Sequence, residues 1–295
     1  MKTVGLVANP EKPDAARVLR EAVRLSQRAG FQVLVEADTA NLLDKSLPSA
    51  PLADIAPRCD LLIVLGGDGT ILWVARNLRG ARTPILSVNL GTLGFLATIT
   101  QKDLAGAIGK IQSGEYKTAE LAMLHVAVLR DERAITEHHA LNDVVIARGA
   151  FSRLVRIEVT VDGELLTTYT ADGLILSTPT GSTAYSLSAG GPIISPSASG
   201  FVITPICPHA LSNRSVVVGQ SSVIRAKLLS MHARAHAAEP TECLITVDGQ
   251  EQSHLRPLDV VEVRHAKDPV RLVTLPGHSY FEVLRRKLHW SGSSV

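Results

Sequence analysis

The stretch LLIVLGGDGTIL, Leu61 to Leu72, constrains the fold more than any other part of the chain. The unbroken apolar run Leu61 to Leu65 predicts a strand buried on both faces, as in a parallel sheet. Gly66, Gly67 and Gly69 follow, and an apolar helical pattern begins at Ile71. Glycines so placed let the backbone turn sharply and bring N–H groups to an anion at a helix start. Gly66, Gly67, Gly69 and Thr70 are therefore candidates for a phosphate-holding loop. Asp68 is the one carboxylate among them and sits where phosphate is expected. A carboxylate there binds a metal, accepts a proton or caps the turn. No Lys follows the glycines and no G-x-x-x-x-G-K-[ST] occurs, which excludes a Walker loop.

The flanking segments repeat the same alternation. Thr3 to Ala8, Phe31 to Val35 and Pro84 to Val88 read as strands. Asp14 to Ala29, with Gly30 where a C-terminal cap belongs, reads as a helix, as do Ile71 to Leu78 and Gln101 to Ser113. The stretch bearing Pro48, Pro51 and Pro57 reads as a polar connection. Strand and helix in alternation predict a parallel sheet wound by helices. Loops at the carboxyl ends of such strands line the ligand crevice. The second glycine-bearing loop, Asn89 to Leu96 (NLGTLGFL), then faces the same way as the first.

From about Leu121 the texture changes to short β-branched runs separated by turns, such as HVAVL, DVVIA, VRIEVTV and CLITV. That pattern predicts an antiparallel β-rich domain. VTVDGELL (Val159 to Leu166) and ITVDGQEQ (Ile245 to Gln252) echo each other around Asp-Gly, a strong hairpin signal. The echo could be a remnant of duplication, but two hairpins with the same turn chemistry would look alike anyway.

A second informative block is ADGLILSTPTGSTAYSLSAGGPI, Ala171 to Ile193, with no charged residue after Asp172. A strand, Leu174 to Leu176, enters a hydroxyl-rich turn, and a short helix of small residues ends at Gly190. Hydroxyls and N–H groups at a helix start can hold phosphate or ribose, and small side chains admit a flat ring. The bland reading is a capped helix between two turns.

These motifs together, GGDGT, NLGTLGFL, LND at Leu141 to Asp143, the long TPTGSTAYSLSAGGP block and PICPHALSNRSVV at Pro205 to Val217, resemble those of bacterial NAD kinases. The resemblance covers nearly the whole chain. It implies an α/β N-terminal domain, residues 1–120, carrying GGDGT. A β-rich antiparallel NAD-binding domain would span 121–275, and a tail, 276–295, would pack back on the first domain. It implies transfer of the γ-phosphoryl of ATP, or of polyphosphate in some members, to the 2′-hydroxyl of the adenosine ribose of NAD. Asp68 would then be the general base. Phosphoryl transfer needs mainly alignment and neutralised charge, so one positioned carboxylate with a divalent ion such as Mg²⁺, bound with the donor, suffices.

By the same resemblance, Asp68, Gly69, Asn142, Asp143, Arg153, Thr170, Asp172, Thr183, Ala184, Tyr185, Ser186, Leu187, Ser188 and Gln250 would line the NAD site. Asn142 and Asp143 would hold hydroxyls and amide edges, Asp172 the nicotinamide side, and Tyr185 a ring face. Arg153 would approach the diphosphate. At Thr170, where some relatives carry a basic residue, this chain is neutral. The resemblance also implies a homodimer or homotetramer.

Composition excludes several classes. Lys+Arg 30 against Asp+Glu 28 gives a net charge of +2, too balanced for a general nucleic-acid or membrane binder. Cys59, Cys207 and Cys243 are few, odd in number and far apart, which suits a reducing cytoplasm rather than a disulfide framework. No apolar run approaches the roughly 18 residues of a membrane span, and no signal peptide is read at the start. His232 and His236 lie i, i+4 with Glu239 nearby but lack H-E-x-x-H, so no protein-held metal site is expected. The competing readings are a lipid or sugar kinase that shares GGDGT, and a dinucleotide sensor without turnover.

Overall fold

A computed structural model describes residues 1–43, 47–91, 94–149, 154–210, 212–231 and 243–290. The chain forms two compact units, Met1–Glu120 together with Val270–Val295, and Leu121–Pro269.

The first unit is built on strands β1 (Thr3–Ala8), β2 (Gln32–Glu36), β3 (Leu61–Gly66) and β4 (Ile85–Asn89), all parallel, in the order β2-β1-β3-β4. Every residue of β3 is buried, as its apolar run requires of a central parallel strand. Helix α1 (Ala15–Arg28) turns Val18, Leu19 and Ala22 inward, and Gly30 follows at φ +82, a left-handed stop that carries the chain into β2. Helices α2 (Asp68–Asn77) and α3 (Leu104–Ser113) complete the alternation.

Two segments depart from the sequence expectation. The proline-bearing connection contains a short helix, Leu52–Ile55, because Leu52 and Ile55 at helical spacing are both buried. The strand Val270–Thr274, expected with the second domain, instead pairs parallel with β4, and Lys117–Leu121 lies on its far side.

The second unit is antiparallel throughout, in two six-stranded sheets. One holds β5 (Asp143–Arg148), β6 (Gly173–Ser177), β7 (Gly200–Ile206), β8 (Val216–Gly219), β9 (Cys243–Val247) and β10 (Glu251–Leu255). Its order is β8-β7-β6-β5-β9-β10. The other comprises Leu124–Arg130, Arg133–Ala140, Val155–Val161, Glu164–Ala171, Ile224–Met231 and Val260–His265. Val144, Leu174, Phe201 and Ile245 from the first sheet share one core with Val126, Ile157, Ala226 and Val261 from the second. Each large aliphatic or aromatic side chain so buried contributes about 1.5–3 kcal/mol. Both Asp-Gly hairpins form. Asp162 (φ +52) with Gly163 (φ +87), and Asp248 (φ +49) with Gly249 (φ +65), place both central residues in the left-handed region, the type I′ pattern.

Candidate active site

In the first unit, the carboxyl ends of β1, β3 and β4 come together. The Asn9 N–H donates to the Leu65 carbonyl (3.0 Å) and the Leu90 N–H to the Gly66 carbonyl (3.1 Å). Gly67 is extended (φ −114, ψ −169), and α2 begins at Asp68. The glycines here take no left-handed turn conformation. Neither Gly66, Gly67 nor Gly69 has a positive φ. Gly66 is needed for close approach, since a Cβ there would overlap the Thr70 side chain, whereas a Cβ on Gly67 would meet open space. The N–H groups of Thr70 and Ile71 are used within the first turn, donating to the Gly67 carbonyl (3.0 and 3.3 Å). The Thr70 hydroxyl is buried under Gly66 with no partner among the described residues.

Asp68 is half-buried at the head of α2. Its Oδ2 accepts the N–H of Phe95 (2.8 Å) and its Oδ1 the N–H of Leu96 (3.1 Å). The two glycine loops thus meet at one carboxylate, as their shared position after parallel strands predicts. Gly94 makes this possible, because a Cβ on it would overlap the carboxylate. The second loop is itself pinned by Ser87, a buried residue of β4. Its hydroxyl donates to the Leu96 carbonyl (2.7 Å) and accepts the Thr98 N–H (2.7 Å), while the Thr98 hydroxyl donates to the Val273 carbonyl (3.0 Å). Each carboxylate oxygen of Asp68 has a second lone pair beyond these bonds, so the group is oriented but still able to accept.

In the second unit the sequence-predicted residues divide between the two ends of β5. Asn142, Asp143 and the start of the hydroxyl-rich block lie at the end where Asp143 pairs with Ser177 and Val144 with Val247. Asp172 lies at the other end, where Ala147 pairs with Gly173. Asn142 and Asp143 lead into β5. Asp143 is 5% exposed, and burial, with the nearby Asp248 carboxylate second, pushes its carboxyl up to about 7. Asp248, at the end of β9, accepts the N–H groups of Leu141 (3.0 Å), Asn142 (2.8 Å) and Asp143 (3.1 Å). From the other side the Thr178 hydroxyl donates to the Leu141 carbonyl (2.6 Å), and its N–H donates to the Asn142 carbonyl (2.9 Å). Gly181 lies so close to Asn142 that a Cβ would overlap the Asn142 carbonyl.

The hydroxyl-rich block divides by direction. Thr178, Ser182 and Ser186 are fully buried. The Ser186 hydroxyl pairs with that of Thr204 (2.9 Å) in the core, under Gly191, so it faces inward and not toward a ligand. Thr183 and Ala184 are half-buried, the Thr183 hydroxyl donating to the Thr180 carbonyl (3.0 Å). Leu187 is half-buried, and Tyr185 (48%) and Ser188 are exposed. The short helix there spans only Tyr185–Ser188, so it offers little dipole to an anion.

Asp172 is held by Arg148 at the end of β5, whose Nε donates to Oδ1 (2.5 Å). Thr170 lies on Glu164–Ala171 of the other sheet, its carbonyl accepting the His209 N–H (2.9 Å). Gln250 is exposed in the hairpin after Asp248. Arg153, His232, His236 and Glu239 lie outside the described residues. Asp248, Arg148 and Ser87 are absent from the sequence-derived set.

Residues 4–116 match the family model described as the ATP-NAD kinase N-terminal domain, and residues 141–275 match the ATP-NAD kinase C-terminal domain. The NAD kinase of Syntrophotalea carbinolica is 44% identical over 98% of this chain and 99% of its own length. The chain belongs to the NAD kinase family. The NAD kinase of Moorella thermoacetica is 43% identical over 99% of this chain and 91% of its own length. Yeast NADH kinase, solved in complex with NADH, is similar at a TM-score of 0.90 and 30% identity, covering 100% of this chain and 89% of that one. An NAD kinase from Archaeoglobus fulgidus, solved with ATP, shares the fold at a TM-score of 0.74 and 20% identity, covering 98% of this chain and 100% of that one. Membership in the NAD kinase family makes this chain a phosphotransferase. It also sets the chemistry against which Asp68 and the Asn142–Asp143 pair are to be read.

Proposed function

We propose that this chain transfers the γ-phosphoryl of ATP to the 2′-hydroxyl of the adenosine ribose of NAD, giving NADP and ADP. The observation that carries this reading is the Asp68 carboxylate, oriented by the Phe95 and Leu96 N–H groups at the carboxyl end of a parallel sheet. Fixing both oxygens removes rotational freedom while leaving lone pairs for a hydroxyl proton. The ribose oxygen forms its bond to the γ-phosphorus as the bond to the β-bridging oxygen breaks. Asp68 orients and accepts the hydroxyl proton. Asn142, Asp143 and Asp172 hold the dinucleotide, with Thr183, Ala184 and Tyr185 beside its rings and Gln250 at its edge.

The donor chemistry requires a divalent ion. Among the described residues no group of three or more His, Cys, Asp or Glu is placed to hold one. Such an ion would be carried mainly by the donor's phosphates, the usual habit of Mg²⁺, with Asp68 available as a carboxylate beside it. When bound, such an ion neutralises charge developing on the phosphoryl oxygens.

A cytoplasmic homodimer or homotetramer goes with this reading by resemblance to the family. Among the described residues no helix is long and apolar enough to cross a membrane. The test is a coupled assay of the purified full chain with NAD, ATP and Mg²⁺. NADP should form only when all three are present. Absence of NADP, or preferred phosphorylation of a lipid or sugar hydroxyl, would overturn the reading. Inorganic polyphosphate in place of ATP sets the donor range.

A further inference from the structure

The backbone of Leu141, Asn142 and Asp143 is held by two residues. All three N–H groups donate to the Asp248 carboxylate, and the Asp143 carbonyl accepts the Asp248 N–H (2.9 Å). The Leu141 and Asn142 carbonyls accept from Thr178. Every main-chain polar group of the segment is thereby satisfied within the protein. The side chains are not. Among the described residues nothing hydrogen-bonds the Asn142 amide or the Asp143 carboxyl. A segment so completely fixed in its backbone, with two unused polar side chains, is built to present those side chains to something else.

The turn itself does not require Asp at position 248. Its left-handed conformation is met as easily by Asn or Gly. The sibling turn shows how little a carboxylate does there by default. Asp162 has the same backbone, is exposed, and accepts a single N–H, that of Val223 (2.8 Å). Asp248 is 7% exposed, and consecutive N–H groups converge on it as on a bound anion. Charge-assisted bonds of this kind are stronger than neutral ones.

We infer that Asp248 is a positioning residue for the dinucleotide, its carboxylate fixing the 141–143 backbone so that Asn142 and Asp143 meet the ribose hydroxyls. This rests on the proposed function for the identity of the ligand. Asp248 also bears on the charge of Asp143. It is the one charged group that raises the Asp143 carboxyl, in addition to burial. Removing its charge lowers the pH at which Asp143 ionises.

The test uses the full chain with Asp248→Asn, which suits the left-handed turn, and Asp248→Ser, which keeps one acceptor. NAD binding is measured by calorimetric titration from pH 6 to 9, and turnover separately with NAD and ATP. Leaving a buried N–H unpaired should raise the Kd and KM for NAD about 10- to 100-fold. KM for ATP and kcat should stay within about three-fold, as expected of lost ground-state binding. The pH midpoint of NAD affinity should move down in both variants. NAD affinity within about two-fold of the parent in either folded variant, with an unmoved midpoint, overturns the inference. A parent chain that binds NAD without making NADP defeats the proposed reaction and leaves this inference standing. Should both variants fail to fold, amide exchange on the unaltered chain decides. Slow exchange at 141–143 without NAD is expected, and exchange as fast as at the exposed turn Asp131–Glu132 overturns it.

Discussion

Asp68 in the first unit and Asp248 in the second both accept consecutive backbone N–H groups from a distant loop. Phe95 and Leu96 supply two to Asp68, while Leu141, Asn142 and Asp143 supply three to Asp248. Asp68 keeps access to solvent at a strand end, and Asp248 is buried. The same kind of bond therefore serves two purposes. A carboxylate with two donors and an open side suits the role proposed for Asp68, that of facing a reacting group. One enclosed by three donors is used up in holding other residues in place. Exposure and the number of donors separate these roles where residue type does not.

The sharpest challenge to this contrast is Asp68→Asn. It keeps the shape but puts an N–H donor where one of the two backbone amides donates, and it removes the proposed base. Turnover should fall about 10²- to 10⁴-fold, while NAD affinity measured by titration stays within about three-fold. Unchanged turnover would remove Asp68 from the chemistry.

Gly94→Ala is a milder blow to the same group. The added methyl overlaps the Asp68 carboxylate and displaces it from Phe95 and Leu96. A misplacement on that scale should lower kcat about 10²-fold, with the thermal midpoint measured alongside. Full activity would show that the amide grip does not aim the carboxylate.

Asp143→Asn probes the second unit through pH. The folded-state carboxyl is raised to about 7, above the 3.8 of the unfolded chain. Between those values the folded state holds a proton that the unfolded state has lost. Stability therefore falls as pH rises from about 4 to 7 and levels off above. Asn at 143 removes that loss, so at pH 8 the variant should gain about 2–4 kcal/mol relative to its difference at pH 4, read by urea unfolding. An identical pH slope in both proteins would mean that Asp143 is not held protonated by its surroundings.

The smallest effect belongs to Asp162→Ala. Losing one exposed side-chain acceptor should cost about 0.5–1 kcal/mol in urea unfolding and leave NAD kinetics unchanged. A shift in KM for NAD as large as that of the Asp248 variants would erase the difference drawn between the two turns.

Much of this was legible in the residues because the signals are local. The apolar run ending in GGDGT announces a buried parallel strand, and Asp68 stands out as the lone carboxylate of its loop. Asp248 was not legible. Asp-Gly reads as a hairpin at both 162 and 248, and what distinguishes them is partners 105 to 107 residues away. Arg148 was missed because the bond to Asp172 depends on antiparallel register between β5 and β6. Ser186 turns its hydroxyl inward to Thr204, which composition does not reveal, since it does not say which way a hydroxyl points on a single helical turn. The strand Val270–Thr274 has the same β-branched texture as its predecessors, and alternation alone cannot say which sheet a strand joins.

That last strand has a consequence for how the chain acquires its shape. In the first sheet it lies between β4 and Lys117–Leu121, yet Leu121 to Pro269 intervenes in the sequence. A nascent chain that has emerged only through Leu121 lacks the piece that separates these two strands. The side of β4 away from β3 then carries only the short Ile99–Thr100 pairing at Val88 and Asn89, and Ile85 lacks its Leu272 partner, a border open to misassembly. The strand-rich half can form from contiguous residues, whereas the GGDGT-bearing half must wait for nearly the whole polypeptide. The half that carries Asp68 is thus completed only after the strand-rich half has emerged.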